Sequence, residues 1–235
     1  MEKRILLVGN NDGLPGVKID LRNFKRFFTS NIGGYWYQSE IIELLNPTRL
    51  ALLTTINNLK RLNLDYCIVV FSGHGGQHRE VVLEINGKSE YMLESEFKNI
   101  SRKQLTIFDC CRAVMENLNE NRGLSGTALN KSFSTNDYLR IKYERRISSA
   151  LDQQVTLYSC SINEFSTDTN EGGVYTKNFL NRALYVPDEY KLVGLNHQEA
   201  SILTSREYPK QNPDAILPRC LSNQQLIISI NPYTL

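Results

Sequence analysis

The sequence predicts an α/β fold with a mostly parallel central sheet, and three observations lead to this class. Short apolar runs alternate along the chain with segments whose apolar residues recur at helical spacing. Strands that alternate with helices form a parallel sheet with helices on both faces. Only residues 80–93 show a hairpin signal, two β-like runs about the Asn86-Gly87 dipeptide, which adds one small hairpin.

Four apolar runs are predicted to be buried strands of this sheet. Each is short and is followed by a polar or glycine-containing loop, as expected of a central strand. The runs are Arg4–Gly9, Asp65–Gly73, residues 104–108 and residues 154–159.

Three segments are predicted to be helices. One begins near Gly16 and carries an apolar stripe of Val17, Leu21, Phe24 and Phe28. A second follows Asn46–Thr48, where an N-cap residue precedes a proline at the first helical position. Its buried stripe is Leu52, Leu53, Ile56 and Leu59. The third spans Thr176–Leu184 and carries apolar residues at helical spacing.

The composition favours a cytoplasmic globular protein that binds neither nucleic acid nor a membrane. The 235 residues are 41% hydrophobic and 22% charged, and the net charge of +2 is too small to attract a polyanion. No apolar stretch is long enough to span a membrane, and the N-terminal run is too short for a signal peptide. The five cysteines are irregularly spaced, so we expect reduced thiols rather than a disulfide framework.

Two polar motifs follow predicted central strands, "FSGHGG" at Phe71–Gly76 and "FDCCRA" at Phe108–Ala113. Sites in parallel sheets lie at the carboxyl ends of the strands, where a cysteine and a histidine can act as nucleophile and base. Residues two apart in an extended segment point to the same side. Asp109 and Cys111 are therefore predicted to share one side, while Cys110 packs into the core.

These motifs together resemble the histidine and cysteine motifs of the caspase-like cysteine peptidases, which include caspases, metacaspases and paracaspases. The "DCC" form of the cysteine motif resembles that of metacaspases and their prokaryotic relatives. Animal caspases have glutamine in place of this aspartate. Further resemblance lies in Leu14–Phe28, in residues 157–166 with 172–180, and in Tyr208–Ile216. His74 lies nearer to the cysteine motif than in caspases, and the stretch between Arg112 and Asp152 has no recognisable counterpart.

The resemblance implies a caspase-like sandwich with about six strands, forming a single peptidase domain over residues 1–235. Residues 1–112 would be a large-subunit-like region and residues 153–235 a small-subunit-like region. The segment 113–152 between them is long, polar and weakly periodic, so we expect an irregular linker.

The resemblance also implies the roles of the site residues in a cysteine endopeptidase. Cys111, at the third position of the Asp-x-Cys pattern, is the expected nucleophile, and His74 is its base and later the acid for the leaving amine. The backbone N–H groups of Gly75 and Cys111 are the expected oxyanion donors.

The family's substrate pocket maps onto Ser72, Asp109 and Asp20, and two carboxylates in one pocket would suit a basic side chain. We therefore expect cleavage after Arg or Lys. The alternative for Asp20 is an acidic residue that favours a helix N-terminus. The alternative for Asp109 is a turn residue at the end of a strand.

The linker contains a candidate self-processing region at Arg140, Lys142, Arg145 and Arg146, within Tyr138–Ser148. Exposed irregular chain of this kind is a common site of proteolysis. A solvated amphipathic helix is the alternative for the same residues.

No metal or cofactor is expected. Many metacaspases carry a calcium-binding cluster of aspartates after the histidine motif, but Gly76–Leu93 contains none. The expected partners are a protein or peptide substrate and an activating or regulatory protein. Analogy with stand-alone members suggests a bacterial defence or cell-death effector. Two alternatives stay open, a catalytically silent caspase-like binding scaffold and a thiol amidase on the same scaffold.

Overall fold

The computed structural model describes residues 1–114 and 137–234 and contains a six-stranded sheet with helices on both faces. The strands, in chain order, are β1 (Lys3–Gly9), β2 (Ile41–Leu45), β3 (Tyr66–Ser72), β4 (Gly75–Gln77), β5 (Val81–Asn86), β6 (Glu90–Leu93), β7 (Lys103–Asp109), β8 (Gln153–Tyr158), β9 (Asp168–Thr169), β10 (Gly172–Gly173), β11 (Tyr190–Leu192), β12 (Asp214–Ile216) and β13 (Ile227–Ile230). The helices are α1 (Val17–Thr29), α2 (Arg49–Arg61), α3 (Asp137–Ser149), α4 (Val174–Ala183) and α5 (Val193–Glu207).

The central sheet has the order β12-β8-β7-β3-β1-β2. Its first five strands in chain order pair in parallel, and only the edge strand β12 is antiparallel to its neighbour. The predicted α/β class, the strand number and the parallel arrangement are confirmed.

Two apolar layers cover the sheet. On one face the buried side chains of α1, α3, α4 and α5 pack against alternate strand residues such as Ile68 and Ile107. On the other face α2 and the antiparallel sheet β4-β5-β6 pack against the intervening residues, among them Val69 and Phe108. This alternation follows from the period of two along a strand, because both faces of a parallel sheet must be covered.

The start of α2 differs from the sequence prediction. Thr48 rather than Asn46 is the N-cap, and its hydroxyl accepts a hydrogen bond from the amide of Ala51 at 3.2 Å. That bond satisfies an amide at the start of the helix, so the first helical residue is Arg49 and not the proline. The β5–β6 hairpin is confirmed.

The prediction of an irregular linker over 113–152 is wrong for its last third, where α3 forms, and residues 115–136 lie outside the described part of the chain. The sequence hides α3 because its buried face mixes Tyr143 and Ile147 with Lys142 and Arg146. Lys142 donates to backbone oxygens near the C-terminus and Arg146 to the carbonyl of Ser222, so buried cations interrupt the apolar stripe.

A membrane-spanning helix is absent from residues 1–114 and 137–234, because none there combines the necessary length with sufficient apolarity.

Candidate active site

The register of β3 and β7 brings the two polar motifs to the same end of the sheet. Ser72 pairs with Asp109, and the amide of Gly73 donates to the carbonyl of Asp109 at 3.1 Å. His74 and Cys111 each follow this pair by two residues, so they leave the sheet side by side. Both line one small cavity of about 50 Å³ at the carboxyl ends of the strands.

The two adjacent thiols occupy different environments. Cys110 is buried in the core with Phe108, whereas Cys111 is half-buried and lines the cavity. The burial predicted from alternation is therefore confirmed. The Sγ of Cys111 lies 3.7 Å from the carbonyl oxygen of Ser166. Burial, together with the nearby negative charge of Asp109, raises the pKa of the Cys111 thiol, so at neutral pH the group is a thiol rather than a thiolate.

The ring of His74 is held by a backbone carbonyl. Its Nε2 lies 2.6 Å from the carbonyl oxygen of Asp12. A carbonyl oxygen only accepts hydrogen bonds, so Nε2 carries the hydrogen and the lone pair of the neutral ring is on Nδ1. The backbone of His74 is held as well, because its carbonyl accepts from the amide of Glu84 at 3.1 Å. Nδ1 is thus the ring nitrogen that can take a proton.

Gly75, the first residue of β4, lies directly against the cysteine pair. A Cβ added at this position would be 2.7 Å from the Sγ of Cys110 and 3.1 Å from the carbonyl oxygen of Cys111. Only glycine allows this approach. The backbones of the two expected oxyanion donors, Gly75 and Cys111, are therefore neighbours.

Asp109 is 5% exposed and is held by three hydrogen bonds. Its Oδ1 accepts from the hydroxyl of Ser166 at 2.6 Å, and its Oδ2 accepts from the hydroxyl of Thr176 at 2.6 Å and from the amide of Thr176 at 3.2 Å. These three donors fix the orientation of the carboxyl group. Because all of them are neutral, none supplies a positive charge to balance a carboxylate. Asp109 is the last residue of β7, in agreement with the alternative of a residue at the end of a strand, but it is also buried and lines the cavity.

Asp20 lies on α1 beside Asp109 and is 1% exposed. It accepts from the hydroxyl of Ser72 at 2.8 Å and from the amide of Gly173 at 3.0 Å. Burial and the neighbouring charge of Asp109 raise the pKa of the Asp20 carboxyl to about 8. Two buried carboxyl groups without a cation between them hold a proton at neutral pH.

A third carboxyl group on the cavity, Asp168, was missed by the sequence analysis. It lies on β9 and accepts from the amide of Gly16 at 3.1 Å, just before α1 begins. Burial raises its pKa, and Asp109 adds to the effect. The only available signal was its place in the polar stretch after the last parallel strand, which ends at the same edge of the sheet.

The four basic residues of the candidate self-processing region lie on α3 and do not line the cavity. Arg140 donates two hydrogen bonds to the buried carboxylate of Glu40, at 2.7 and 2.6 Å. Lys142 and Arg146 are buried, and Arg145 is exposed. The segment therefore forms the helix of the alternative rather than exposed irregular chain, but this helix is solvated on one face only, because Tyr143 and Ile147 pack against the core.

Within residues 1–114 and 137–234, no three His, Cys, Asp or Glu side chains are arranged to hold a metal ion. None of the described residues around the cavity is lysine or arginine. The site therefore offers a thiol, an imidazole and an excess of carboxyl groups.

A family model described as the caspase domain matches residues 2–189 of the 235, a span that includes every cavity residue named above. No curated protein matches the sequence. Because the family model covers well over half of the chain and the sheet has the topology expected from it, the chain belongs to the caspase-domain family of cysteine peptidases.

Proposed function

We propose that this protein is a cysteine endopeptidase that cleaves after arginine or lysine, with Cys111 as the nucleophile and His74 as the base. One observation carries the proposal: the thiol, the imidazole and the carboxyl groups of Asp20, Asp109 and Asp168 line the same cavity. A nucleophile and base supply the chemistry of acyl transfer. The carboxyl groups supply a preference for a cation.

In this mechanism Nδ1 of His74 removes the proton of the Cys111 thiol as the sulfur attacks the substrate carbonyl. The raised pKa of Cys111 makes this base necessary, because little thiolate exists without it. The imidazolium then donates the same proton to the leaving amine, and a water activated by His74 hydrolyses the thioester. The carbonyl of Asp12, bonded to Nε2, stabilises the imidazolium in both steps.

The charge that develops on the substrate oxygen needs hydrogen-bond donors. The backbones of Gly75 and Cys111 are neighbours, since a Cβ added to Gly75 would lie 3.1 Å from the carbonyl oxygen of Cys111. Donors of this kind commonly contribute about 3 kcal/mol of transition-state stabilisation each. We assign the oxyanion site to the backbone N–H groups of these two residues.

The carboxyl groups explain the preference for a basic side chain. A guanidinium that enters the cavity can form charge-assisted, bidentate hydrogen bonds with Asp109. A substrate carboxylate would instead meet three carboxyl groups and no cation, a like-charge contact that costs several kcal/mol. The difference should exceed ~3 kcal/mol, or about a hundredfold in kcat/KM.

The cavity must widen when substrate binds. Its volume of about 50 Å³ is little more than that of one or two water molecules. Ser166 contacts both the candidate nucleophile and the substrate pocket, since its carbonyl oxygen lies near Cys111 and its hydroxyl donates a hydrogen bond to Asp109. A bound arginine side chain would take the place of the Ser166 hydroxyl on Asp109. Ser166 would then move away from both Asp109 and the Cys111 thiol.

Peptides that differ only at the residue before the scissile bond test this proposal. We expect efficient cleavage after arginine, somewhat slower cleavage after lysine, and at least a hundredfold lower kcat/KM after aspartate. Cys111→Ala should be inactive, and Cys110→Ala, which removes a neighbouring thiol outside the mechanism, is the matched control. Efficient cleavage after aspartate, with none after arginine or lysine, would contradict both the pocket assignment and the predicted similarity to metacaspases.

Other outcomes separate the alternatives. Binding of arginine peptides without turnover by the parent chain would identify a silent scaffold. Hydrolysis of small amides without any cleavage of peptides would identify a thiol amidase.

A further inference from the structure

The loop between β1 and α1 begins with Asn10, a polar side chain that is entirely buried next to the candidate base. Its backbone amide donates to the carbonyl of Ser72 at 3.0 Å, which continues the β1–β3 pairing by one residue. A Cβ added to Gly73 would lie 3.0 Å from the Cβ of Asn10, so this loop packs tightly on the segment that carries His74. A fully buried amide side chain is retained only where its hydrogen bonds are satisfied.

The Asn10 side chain has one partner on each side. Its Oδ1 accepts from the amide of Asp12 at 3.2 Å, and its Nδ2 donates to the carbonyl of Glu84 at 2.9 Å. The partners determine the orientation of the amide, because a backbone N–H only donates and a carbonyl only accepts. Neither an apolar residue nor a carboxylate can serve both partners.

These two bonds complete a closed ring of hydrogen bonds through four residues, one of which is the histidine itself. The carbonyl of Asp12 accepts from Nε2 of His74 at 2.6 Å, and the amide of Glu84 donates to the carbonyl of His74 at 3.1 Å. Asn10 is therefore the link between the residue that holds the imidazole and the residue that holds the backbone of His74. We call these four residues, Asn10, Asp12, His74 and Glu84, the Asn10 ring.

We propose that Asn10 is a positioning residue for His74. It holds the exposed Asp12 so that its carbonyl stays on Nε2, and this bond keeps the lone pair on Nδ1 of a ring that shares the cavity with the thiol. The proposal rests on the proposed function for its kinetic consequence, but the geometry of the ring can be tested without turnover. Asn10 does not line the cavity, so its removal should affect the chemical step and leave substrate binding intact.

Asn10→Ala is the test variant, and Asn11→Ala is its matched control. Asn11 lies on the same loop and its side chain accepts a hydrogen bond from Asn46 at 2.7 Å, but it has no part in the ring. We expect Asn10→Ala to lower kcat about 10- to 100-fold toward an arginine peptide, with little change in KM. Asn11→Ala should change neither by a comparable amount.

A spectroscopic measurement in the Cys111→Ala chain tests the geometry independently of catalysis. A hydrogen bond as short as that of His74 Nε2 gives a downfield proton resonance, and the chain has three histidines to assign. We expect this resonance in Cys111→Ala alone and with Asn11→Ala, and its loss with Asn10→Ala. If the resonance behaves so and no peptide is cleaved, the positioning role stands and the proposed function fails.

A folded Asn10→Ala protein that keeps both the resonance and kcat would overturn the proposal. If that variant does not fold, Asn10→Ser decides, because its hydroxyl can accept from Asp12 but cannot reach Glu84. We expect it to weaken the resonance, because the bond to Glu84 that anchors the side chain holding Asp12 is lost, and an unchanged resonance and kcat would again overturn the proposal. In the parent chain, rapid hydrogen exchange of the Asn10 side-chain amide would also contradict the ring.

Discussion

Asp20 and Asp109 are held against the same residue, Gly173. The amide of Gly173 donates to Oδ1 of Asp20 at 3.0 Å, and a Cβ added to Gly173 would lie only 2.4 Å from Oδ2 of Asp109. Only the backbone of Gly173, which has no side chain, lies against both carboxyl groups. No lysine or arginine of the described residues lines the cavity that they share. Their mutual repulsion makes proton binding and cation binding competing events.

Binding of a guanidinium or amidinium should release a proton from this pair. Below its raised pKa of about 8, Asp20 is protonated, so a cation must displace the proton. The affinity of the Cys111→Ala chain for benzamidine should rise as pH increases from 6 to 8 and then level off. Calorimetry in two buffers of different ionisation heat measures the proton released. Asp20→Asn should remove most of this release, and an undiminished release in that variant would contradict the assignment.

Asp20→Asn should also stabilise the folded chain at high pH. The folded-state pKa is raised above the unfolded value, so the folded state keeps a proton that the unfolded state has lost. This difference lowers stability progressively as pH rises from about 4 to about 8. The variant should therefore have a higher Tm than the parent at pH 8, by roughly 2–8 °C, and nearly the same Tm at pH 4. An equal or lower Tm at pH 8 would argue against a protonated Asp20.

Of the two adjacent thiols, only Cys111 should react. Cys111 is half-buried on the cavity, whereas burial raises the pKa of the Cys110 thiol far above its usual range. Iodoacetamide followed by peptide mapping should label Cys111, at a rate that rises about tenfold per pH unit above neutrality in the His74→Ala chain, where no base assists. Cys111→Ala and His74→Ala should abolish turnover, while Cys110→Ala keeps most of it. Preferential labelling of Cys110 would show that the nucleophile is assigned to the wrong thiol.

Self-processing at Arg140, Lys142, Arg145 and Arg146 stays a prediction, and the helix restricts where it can occur. A peptidase needs extended chain, so α3 must unfold locally before any of these bonds is cut. We expect a cut after the exposed Arg145, and faster cutting in Glu40→Gln, which loses a charged partner of Arg140. Intact-mass spectrometry against Cys111→Ala measures both. Rapid cleavage after the buried Lys142 in the parent chain would contradict this account.

Activity should not depend on calcium. The segment expected to hold such a site in metacaspases forms β4, β5 and β6 here, and two of its three glutamate side chains have other partners, Glu80 with Ser95 and Glu90 with Asn86. Calcium needs six to eight oxygen ligands. Turnover should be the same in chelator and in millimolar calcium. Activity that is lost in chelator and restored by calcium would disprove this.

Four of the six strands of the central sheet and three of the helices could be predicted from the sequence because they depend on local periodicity. The apolar runs of β1, β3, β7 and β8 and the stripes of α1 and α4 are visible without any partner. The placement of His74 and Cys111 followed as well, since parallel strands end at one edge. The caspase-like class was read from the same two motifs.

Only the tertiary structure decided which polar groups meet, because their partners are distant in the chain. Asp168 joins the cavity through Gly16, 152 residues away, and Thr176 reaches Asp109 across 67 residues. Asn10 bonds Glu84 across 74 residues. Helix α3 was hidden because its buried lysine and arginine are acceptable only beside carbonyls contributed by the C-terminal segment. The periodicity of apolar residues indicates which side chains become buried. Hydrogen-bond partners and the repulsion between buried carboxyl groups instead depend on distances between groups that only the folded chain brings together.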